Sequence, residues 1–346
     1  MPASVRVVDP DEIPEWDQLL EPFPDSTFFH TREWAAILRS TYGFRPRYLL
    51  LGTPSSHRGL LPLMQVDSWL TGRRGVALPF SDTCSPLTLT AEALHELVAE
   101  ARRLAGDAAW KYLEIRGGLE KIEDARPSTT FHGHILPLVD DENHLFKQLD
   151  SAARRAIRKG NADGVSVEIQ HNEEAMHEFC HLLALTRKRH GVPPQPDAFF
   201  KNLHRTMISS GKGCIVIARI NRLAIAAGLY LEHKKKALYK FGGSDVRFQQ
   251  HRGNNLVMWK AITEYARRGF ESFDFGRTSL DNPGLRTFKL SWGAQERPIP
   301  YFRYDCRTSA WTTVPDRSTN RLTPLFQNLP IGLSRAVGTM LYRHVA

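Results

Sequence analysis

The sequence contains little cysteine and no long apolar segment. Its 346 residues include only 4 cysteines, which are widely spaced and form no C-x-x-C pair. This spacing excludes a disulfide scaffold and a cysteine-based metal cage. No uncharged apolar run approaches the roughly 18 residues that span a bilayer. Charges and prolines interrupt the N-terminal segment, so we expect no apolar signal-peptide core there. We therefore expect a cytoplasmic protein.

The charge balance favours anionic partners. Lys and Arg number 46 against 37 Asp and Glu, which gives a formal charge of +9. Such a charge suits phosphates, coenzyme A, nucleotide-linked precursors, tRNA or an acidic membrane surface. We expect an anionic small-molecule or nucleotide-linked acceptor and no DNA partner. The charge alone does not choose among the remaining classes.

Hydrophobic periodicity predicts two halves with a similar order of elements. Helical spacing covers residues 32–42, 145–159 and 173–189, and strand-like alternation lies between these segments. The segment 137–143 breaks both periodicities, which predicts domains at 1–142 and 143–306 and a tail at 307–346. In the second half, three strands, a Gly/Asn loop, a helix and another strand indicate an α/β (α+β) fold with mixed sheets.

The tail carries an apolar stripe over residues 325–345, together with Arg335 and Arg343. Two interpretations are open. The segment forms a helix that packs back on the first domain. Alternatively, it forms a basic amphipathic helix that lies on an anionic membrane, which would place the protein at the inner face of the membrane.

A literal H-E-x-x-H motif runs from His177 to His181. On a helix this spacing places two imidazoles on one face, where they can bind zinc beside a glutamate base. A catalytic zinc needs a third protein ligand, and neither the metzincin continuation nor a following Glu supplies one. We therefore interpret the motif as a solvated helix flank and predict no metal site.

A glycine-bearing loop lies between a predicted strand and a predicted helix. Backbone N–H groups at such a junction, together with the helix N-terminus, can bind a pyrophosphate. An ordinary loop with an Asn helix cap is the alternative. The loop resembles the Q/R-x-x-G-x-G/A loop of GNAT acetyltransferases, although Asn255 replaces the last Gly or Ala. The candidate donor-binding residues are Gln250, Arg252, Gly253, Asn254 and Asn255.

A basic helix precedes this region, with four cations within residues 154–159. Such a run forms either a solvated face or the rim of a site for a phosphorylated acceptor. Arg158 and Lys159 are the candidates on the second interpretation.

The densest pattern lies near the end of the second half. It comprises Phe273-Asp274-Phe275-Gly276-Arg277 and, further on, the run from Thr287 to Ala294. Lys289 stands between Phe288 and Trp292, and its ammonium is costly to bury without a partner. A structural ion pair is one explanation, and a functional cation is the other.

These motifs together resemble the FemAB-like proteins, which include the Fem-type peptidoglycan-bridge aminoacyltransferases and the group found beside exosortase (PEP-CTERM) gene clusters. The resemblance covers roughly residues 28–340. It rests on F-D-F-G-R at 273–277 and F-K…W-G-A at 288–294, and on the blocks at 28–34, 78–82, 112–116, 153–159, 186–193 and 329–331.

The resemblance implies a tandem of two GNAT-like domains with mixed sheets and a cleft between them. The implied activity is transfer of an acyl or aminoacyl group to an amine of a cell-envelope or related precursor. Lys289 would stabilise the developing negative charge, Phe288 would shape the donor site, and Asp82 would accept or orient the amine proton. The residues implied for the acceptor, beside Arg158 and Lys159, are Trp34, Thr186, Arg189, Tyr239 and Arg277.

The donor stays open between acyl-CoA and aminoacyl-tRNA, each a co-substrate and not a tightly bound cofactor. The alternative to an enzyme is a non-catalytic GNAT-like binding module of a polysaccharide or protein export system.

Overall fold

The computed structural model describes residues 4–313 and 323–345. The elements of the first part are β1 (Val5–Val8), α1 (Trp16–Leu20), α2 (Arg32–Tyr42), β2 (Arg45–Pro46), β3 (Tyr48–Thr53), β4 (Ser56–Leu61), β5 (Met64–Val66), β6 (Arg74–Val76), β7 (Leu87–Thr88), α3 (Ala91–Asp107), β8 (Tyr112–Arg116) and β9 (Pro127–Pro137).

The chain continues with α4 (Glu142–Gln148), α5 (Ser151–Ala162), β10 (Ser166–Gln170), α6 (Glu173–Arg189), α7 (Asp197–Leu203), β11 (Gly213–Ile220), β12 (Leu223–His233), β13 (Lys236–Ser244), α8 (Gly253–Arg267), β14 (Ser272–Ser279), α9 (Pro283–Leu290), β15 (Gln295–Asp305), β16 (Ala310–Thr312), α10 (Thr323–Asn328) and α11 (Ile331–Leu341). Short helical turns cover Pro10–Glu12, Phe28–His30, His204–Ile208, Val246–His251 and Tyr342–His344.

The described residues form two compact units. Unit 1 comprises 4–131, 298–313 and 340–345, and unit 2 comprises 132–297 and 323–339. The division therefore falls inside β9 and β15, whereas the sequence predicted a boundary at 142/143. Sequence patterns did not identify β9 as a strand, and the turn signals at 137–143 mark only the loop that follows it.

Unit 1 contains a four-stranded antiparallel sheet in the order β1-β3-β4-β7 and a second group of strands in the order β15-β8-β6-β5-β2. In the second group β6 and β8 are parallel, and the other neighbours for which a register is defined are antiparallel. Helix α3 packs its apolar stripe, including Leu94, Leu97 and Ala101, into the core of this unit. Thr90 caps this helix by accepting from the backbone N–H of Ala93.

Unit 2 is built on the strand order β10-β11-β12-β13-β14-β9. Strands β10 to β13 are antiparallel, and β14 is parallel to β13. Cys214, Val216 and Ala218 of β11 pack in one cluster with α5 and α8. The alternate residues Ile215 and Ile217 are equally buried, and α6 packs against the same strands. The sheet is therefore covered on both faces, and the α/β fold with mixed sheets is confirmed.

Two predicted helices have the bounds that the sequence indicated, and a third is divided into two helices. Helices α2 and α6 confirm the predictions for 32–42 and 173–189. The single helix predicted for 145–159 is instead α4 and α5, because the side chain of Asp150 caps a new helix by accepting from Ala153 N at 2.7 Å.

The tail predicted to pack on the first domain divides between the units. Residues 323–339 belong to unit 2, where Gly338 of α11 lies so close to the Pro194 carbonyl oxygen that an added Cβ would be 2.0 Å from it. Only residues 340–345 belong to unit 1. Pro330 separates α10 from α11, since proline lacks the N–H that a continuous helix needs.

Candidate active site

The site begins where two parallel strands stop pairing. The register of β13 and β14 covers only residues 236–238 against 272–274, yet both strands continue for five or six residues further. Helix α8 connects them in sequence. Parallel strands of this kind leave an opening at their carboxyl ends, where loops and helix termini can bind a ligand.

A β-bulge shapes the same region. In the register of β12 with β13, Leu229 faces Phe241 and Tyr230 faces Tyr239, so that Lys240 is an extra residue. Bulges redirect side chains and are frequent beside active sites. This one brings the rings of Tyr230 and Tyr239 within 5.5 Å of each other.

We call the cavity beside these rings the tyrosine pocket. Its volume is about 250 Å³. Its lining residues come from α6, β12, β13, α8 and α9. They are Thr186, Arg189, Ala227, Tyr230, Tyr239, Gly242, Gly243, Ser244, Asn254, Val257, Met258, Leu285 and Phe288.

Hydrogen bonds tie three elements together at the rim of the tyrosine pocket. The Thr186 hydroxyl accepts from Ser244 N at 2.8 Å and donates to Ser244 O at 3.2 Å. The Asn254 amide donates to the Ser244 hydroxyl at 3.1 Å. Burial raises the pKa of Tyr239 to about 12, so its hydroxyl stays protonated and can donate to a ligand.

Helix α9 separates the tyrosine pocket from a second cavity, because Phe288 lines both. This second cavity, the cationic pocket, has a volume of about 410 Å³. Its lining residues are Asp150, Ala152, Ala153, Arg155, Ala156, Lys159, Arg252, Asn255, Thr287, Phe288 and Ser291. Arg155, Lys159 and Arg252 outnumber the single carboxylate, Asp150, whose side chain caps α5. The pocket therefore suits an anion.

The N-terminus of α8 opens at this pocket. Arg252 stands at the N-cap in the left-handed region, with φ of 57°, and no side chain caps the helix there. The first backbone N–H groups of a helix have no intrahelical acceptor, and they favour anions such as phosphate. A backbone strained in this way is typical of ligand-binding loops.

Asp163 fixes the loop to α5. Its carboxylate accepts from Lys159 Nζ at 3.1 Å and pairs with His251 Nδ1 at 2.9 Å. The hydrogen bond from Lys159, followed by that from His251, holds the pKa of Asp163 below its usual range. The carboxylate therefore stays charged and joins the basic helix to the glycine-bearing loop.

Lys289 follows Phe288 on α9 and is only 3% exposed. Its Nζ donates to Gly276 O at 2.8 Å and to Arg277 O at 3.0 Å, both on β14. Carbonyl oxygens thus solvate the ammonium inside the protein, as the burial of a charge requires. The ammonium is therefore held on the second half of β14, and Lys289 is not among the residues that line either pocket.

The structure groups the predicted residues differently from the sequence analysis. The tyrosine pocket combines Thr186, Arg189 and Tyr239, predicted for the acceptor, with Asn254 and Phe288, predicted for the donor. The cationic pocket likewise combines Lys159 of the acceptor set with Arg252 and Asn255 of the donor set. Gly253 starts the helix between them and is buried.

Other predicted residues lie outside both pockets. Arg158 is exposed and stacks on Phe146, with the guanidinium carbon 5.5 Å from the ring centroid. Gln250 is exposed at the end of the short turn before α8. Arg277 contributes its carbonyl oxygen to Lys289.

Two predicted residues belong to unit 1. Trp34 is fully buried, and its ring contacts those of Phe28 and Phe29 edge to face. This position corrects the predicted role of Trp34 in acceptor binding, because the side chain leaves no surface for a ligand. Asp82 is half-buried, and its carbonyl oxygen accepts from the Tyr301 hydroxyl at 2.8 Å. Its role in proton transfer stays a prediction.

Sequence reasoning missed four residues that pack around α9. Glu296 of β15 pairs with Arg286 of α9 and with His132 and His134 of β9. The signal was present as F-H-G-H at 131–134, where two histidines share one face of a strand. It was not recognised because β9 was not predicted.

The H-E-x-x-H motif lies elsewhere in unit 2. His177 lines a cavity of about 570 Å³ between α6 and α7, together with Cys180 and His204. Within residues 4–313 and 323–345, no group of three or more His, Cys, Asp or Glu is arranged to hold a metal ion. No described helix is long and apolar enough to cross a membrane.

A family model decides the identity of unit 2. The acetyltransferase (GNAT) domain model matches residues 148–290, a range that contains Lys289 and every lining residue of both pockets except Ser291. Residues 148–290 are a GNAT acetyltransferase domain. Unit 2 thus contains a GNAT acyltransferase domain, and the fold of the chain is similar to that of FemX and of a tandem GNAT protein. GNAT domains use acyl-CoA as a co-substrate without holding it as a tight cofactor.

Solved structures support the same fold over most of the chain. FemX is 15% identical with a TM-score of 0.67, and the match covers 87% of this chain and 97% of that one. A tandem GNAT protein from the clavulanic acid biosynthesis pathway is 12% identical with a TM-score of 0.56, covering 88% and 98%. L-PGS from Bacillus licheniformis is 11% identical with a TM-score of 0.55, covering 96% and 98%. A comparison with curated protein sequences gave no significant match.

Proposed function

We propose that this GNAT acyltransferase moves an acyl or aminoacyl group from a thioester or ester donor to an amine of a cell-envelope or related precursor. The observation that carries the proposal is the position of α9. Phe288 lines both pockets, and the next residue, Lys289, holds a buried ammonium on the carbonyls of β14. This arrangement supplies a donor site and a fixed positive charge on one short helix.

The chemistry needs that charge in a defined place. The amine nitrogen attacks the acyl carbon, a C–N bond forms, and the C–S or C–O bond to the leaving group breaks. Negative charge develops on the acyl oxygen in the transition state. A preorganised cation in a site shielded from water stabilises that oxygen without reorganisation. The amine loses one proton to a base, and the leaving group gains one.

The cationic pocket favours acyl-CoA as the donor. Arg155, Lys159 and Arg252 surround the uncapped N-terminus of α8, and this combination of charges and backbone N–H groups fits the phosphates of coenzyme A. The tyrosine pocket, with its apolar walls and the hydroxyls of Thr186 and Tyr239, is proposed to take the acyl end. An aminoacyl-tRNA is the competing donor.

The acceptor class is proposed from the structural neighbours. FemX and L-PGS share the fold. Fem-type enzymes, which this chain resembles, aminoacylate peptidoglycan precursors. An amine on a nucleotide-linked or lipid-linked envelope precursor therefore suits both the fold and the net charge of +9.

The test compares donors on one protein and two variants. Coenzyme A, acetyl-CoA and aminoacyl-tRNA are titrated by calorimetry, and turnover is then assayed with UDP-linked muropeptides and simple amines. Arg155→Ala combined with Lys159→Ala should raise the Kd for coenzyme A roughly tenfold or more, because each removes a charge-assisted contact. Arg154→Ala is the matched control, since Arg154 lies on the same helix outside the pocket.

The outcomes separate the possibilities. Tight coenzyme A binding that depends on Arg155 and Lys159 supports the proposal. Binding of aminoacyl-tRNA alone would replace acyl-CoA as the donor. Absence of binding and turnover with every donor would overturn the proposed function.

A further inference from the structure

A carboxylate–histidine cluster, of which only His134 is fully buried, contacts the helix that carries Lys289. Arg286 of α9 donates to Glu296 of β15 through Nε at 2.7 Å and Nη2 at 3.0 Å. From β9, His132 Nδ1 and His134 Nε2 each lie 3.2 Å from a Glu296 carboxylate oxygen. One carboxylate therefore joins three elements of unit 2.

Helix α9 is thus fixed at two points one turn apart. Arg286 binds Glu296 on β15, and Lys289, three residues later, binds the carbonyls of Gly276 and Arg277 on β14. Residues three apart lie on one face of a helix. The bidentate geometry of an Arg–carboxylate pair defines orientation as well as distance. The two fixed points leave Phe288 between the pockets and limit the positions open to the Lys289 ammonium.

His134 is the unusual member of the cluster. Its side chain is fully buried, and its Nδ1 has no hydrogen-bond partner among the described residues. A carboxylate only accepts, so Nε2 carries the hydrogen and Nδ1 is left as a bare acceptor in the neutral ring. A buried polar atom without a partner destabilises the folded state, because it has lost its hydrogen bonds to water. Its retention in a well-packed strand calls for an explanation.

The charges around His134 favour the neutral ring. Burial, and then the positive charge of Lys289, lower the pKa of His134, while Glu296 opposes them. The groups that act on it are His132 of its own strand, Glu296 of β15, with Arg286 on the far side of that carboxylate, and Lys289 of α9. Protonation would add a positive charge and a second N–H donor to a ring that is fully buried and already bound to Glu296.

We propose that Glu296 and neutral His134 are positioning residues for α9, and so for Lys289, and that protonation of His134 alters this cluster and stops acyl transfer. The proposal rests on the proposed function for its catalytic half. The coupling between His134 and Lys289 stands independently of any substrate.

The coupling is tested first, without substrate. The ring signals of His134 are followed by NMR as the pH is lowered, with assignment by His134→Gln. Lys289→Met should move the His134 midpoint to higher pH, because it removes a positive neighbour. Lys260→Met, an exposed lysine on α8, is the matched control and should leave the midpoint unchanged. An unmoved midpoint in Lys289→Met would overturn the proposal even if the enzyme is active.

The catalytic half is tested on the pH profile of kcat with saturating donor and a weakly basic amine. The kcat of the unchanged protein should fall at low pH. This acid limb should disappear in His134→Gln, because glutamine keeps a hydrogen-bond donor near Glu296 but does not titrate. Glu296→Gln should move the limb to lower pH and reduce kcat about 10- to 100-fold with little change in KM, because a misplaced catalytic group costs rates of this order.

His132→Gln separates positioning from folding. It removes a contact to the same carboxylate from the same strand but leaves His134 in place, so the acid limb should remain. If His132→Gln and His134→Gln change the profile alike, the cluster is structural and the proposal fails. Should His134→Gln fold poorly, as judged by its Tm, His134→Asn serves as the second non-titrating variant and is judged by the same criterion.

Discussion

Lys289 shows how a single residue meets opposite demands of stability and function. An ammonium that is 3% exposed must replace its hydration, and two carbonyls at 2.8 and 3.0 Å do so. Both of these partners are neutral carbonyl oxygens. A cation held in this way is the kind of group that stabilises an oxyanion. The catalytic role of Lys289 stays a prediction beside the structural ion pair.

Replacing Lys289 by Met should therefore separate rate from stability. We expect the single-turnover rate to fall ~10²–10³-fold, since a transition-state stabiliser is lost. The free energy of unfolding should fall by about 1–3 kcal/mol, because two buried carbonyls lose their donor. The Kd for coenzyme A, measured by calorimetry, should be nearly unchanged. A large loss of donor affinity with a normal rate would contradict this assignment.

Glu114 is the corresponding buried charge of unit 1. It is 5% exposed and accepts from Arg116 at 2.9 Å and from Arg303 at 2.7 Å. Burial by itself would raise the pKa of Glu114, but Arg116 and Arg303 outweigh burial and hold it below its usual value of 4.5. The folded protein thus binds the proton less readily than the unfolded chain does.

Glu114→Gln should lower the free energy of unfolding by about 3–5 kcal/mol at neutral pH, because it strands the buried guanidinium of Arg116 and removes a partner of the half-buried Arg303. In the unchanged protein, the contribution of Glu114 is complete above pH 4.5 and is lost as the pH falls through the lower folded-state pKa. Urea titrations across this range measure both effects. Glu96→Gln, which breaks an exposed pair with Arg58, should cost less than about 1 kcal/mol.

At the scale of elements, β13 shows why small residues occur where a strand borders a cavity. An added Cβ at Gly242 would lie 1.8 Å from the Tyr239 hydroxyl oxygen. The backbone at Gly242 is not in the left-handed region, so the constraint is steric and comes from a single neighbour. The bulge at Lys240 turns Tyr239 towards this glycine.

Gly242→Ala should lower the free energy of unfolding by about 1–3 kcal/mol through overpacking, and should weaken coenzyme A binding by displacing Tyr239. The double variant with Tyr239→Phe should recover most of the loss, because it removes the clashing oxygen. Thermal melts of the four proteins form a double-mutant cycle. Gly106→Ala in α3, where a Cβ meets nothing within 4 Å, should be neutral or stabilising. Additive effects at 239 and 242 would contradict the steric explanation.

At the scale of the whole molecule, the chain end returns to unit 1. His344 is held by the hydroxyls of Ser68 and Thr71 and by Arg74, and its ring lies 5.4 Å from that of Trp69. Trp69 is 86% exposed, and Met340, which precedes His344 in the same C-terminal segment, is 71% exposed. Exposed tryptophan near arginine is typical of surfaces that lie against anionic lipid.

The predicted membrane contact of residues 325–345 should accordingly depend both on the loop that carries Trp69 and on the C-terminal segment that carries Met340. We expect the protein to sediment with vesicles that contain phosphatidylglycerol and not with phosphatidylcholine alone. Trp69→Ser and Met340→Ser should each weaken this binding roughly tenfold, and neither should change the Tm. Leu223→Ser, at a site 51% exposed in unit 2, is the control. Equal sedimentation of all variants would contradict a role for this surface.

The sequence by itself determined the local elements and the chemistry that they carry. Periodicity defined α2 and α6 to the residue, and the motifs around 250–255 and 288–289 drew attention to the loop before α8 and to Lys289, whose roles stay predictions. These features depend on contacts within a few residues of chain, which a pattern records directly.

Only the tertiary structure decided which side chains share a site. Donor and acceptor candidates meet in the same pockets because α6, β13, α8 and α9 converge there from positions about 100 residues apart. Trp34 was assigned to the acceptor and lies in a core, since an aromatic motif looks the same in either place. His134 and Glu296 are 162 residues apart, and no local pattern relates them. Their meeting depends on strand pairing, which is a long-range property of the fold.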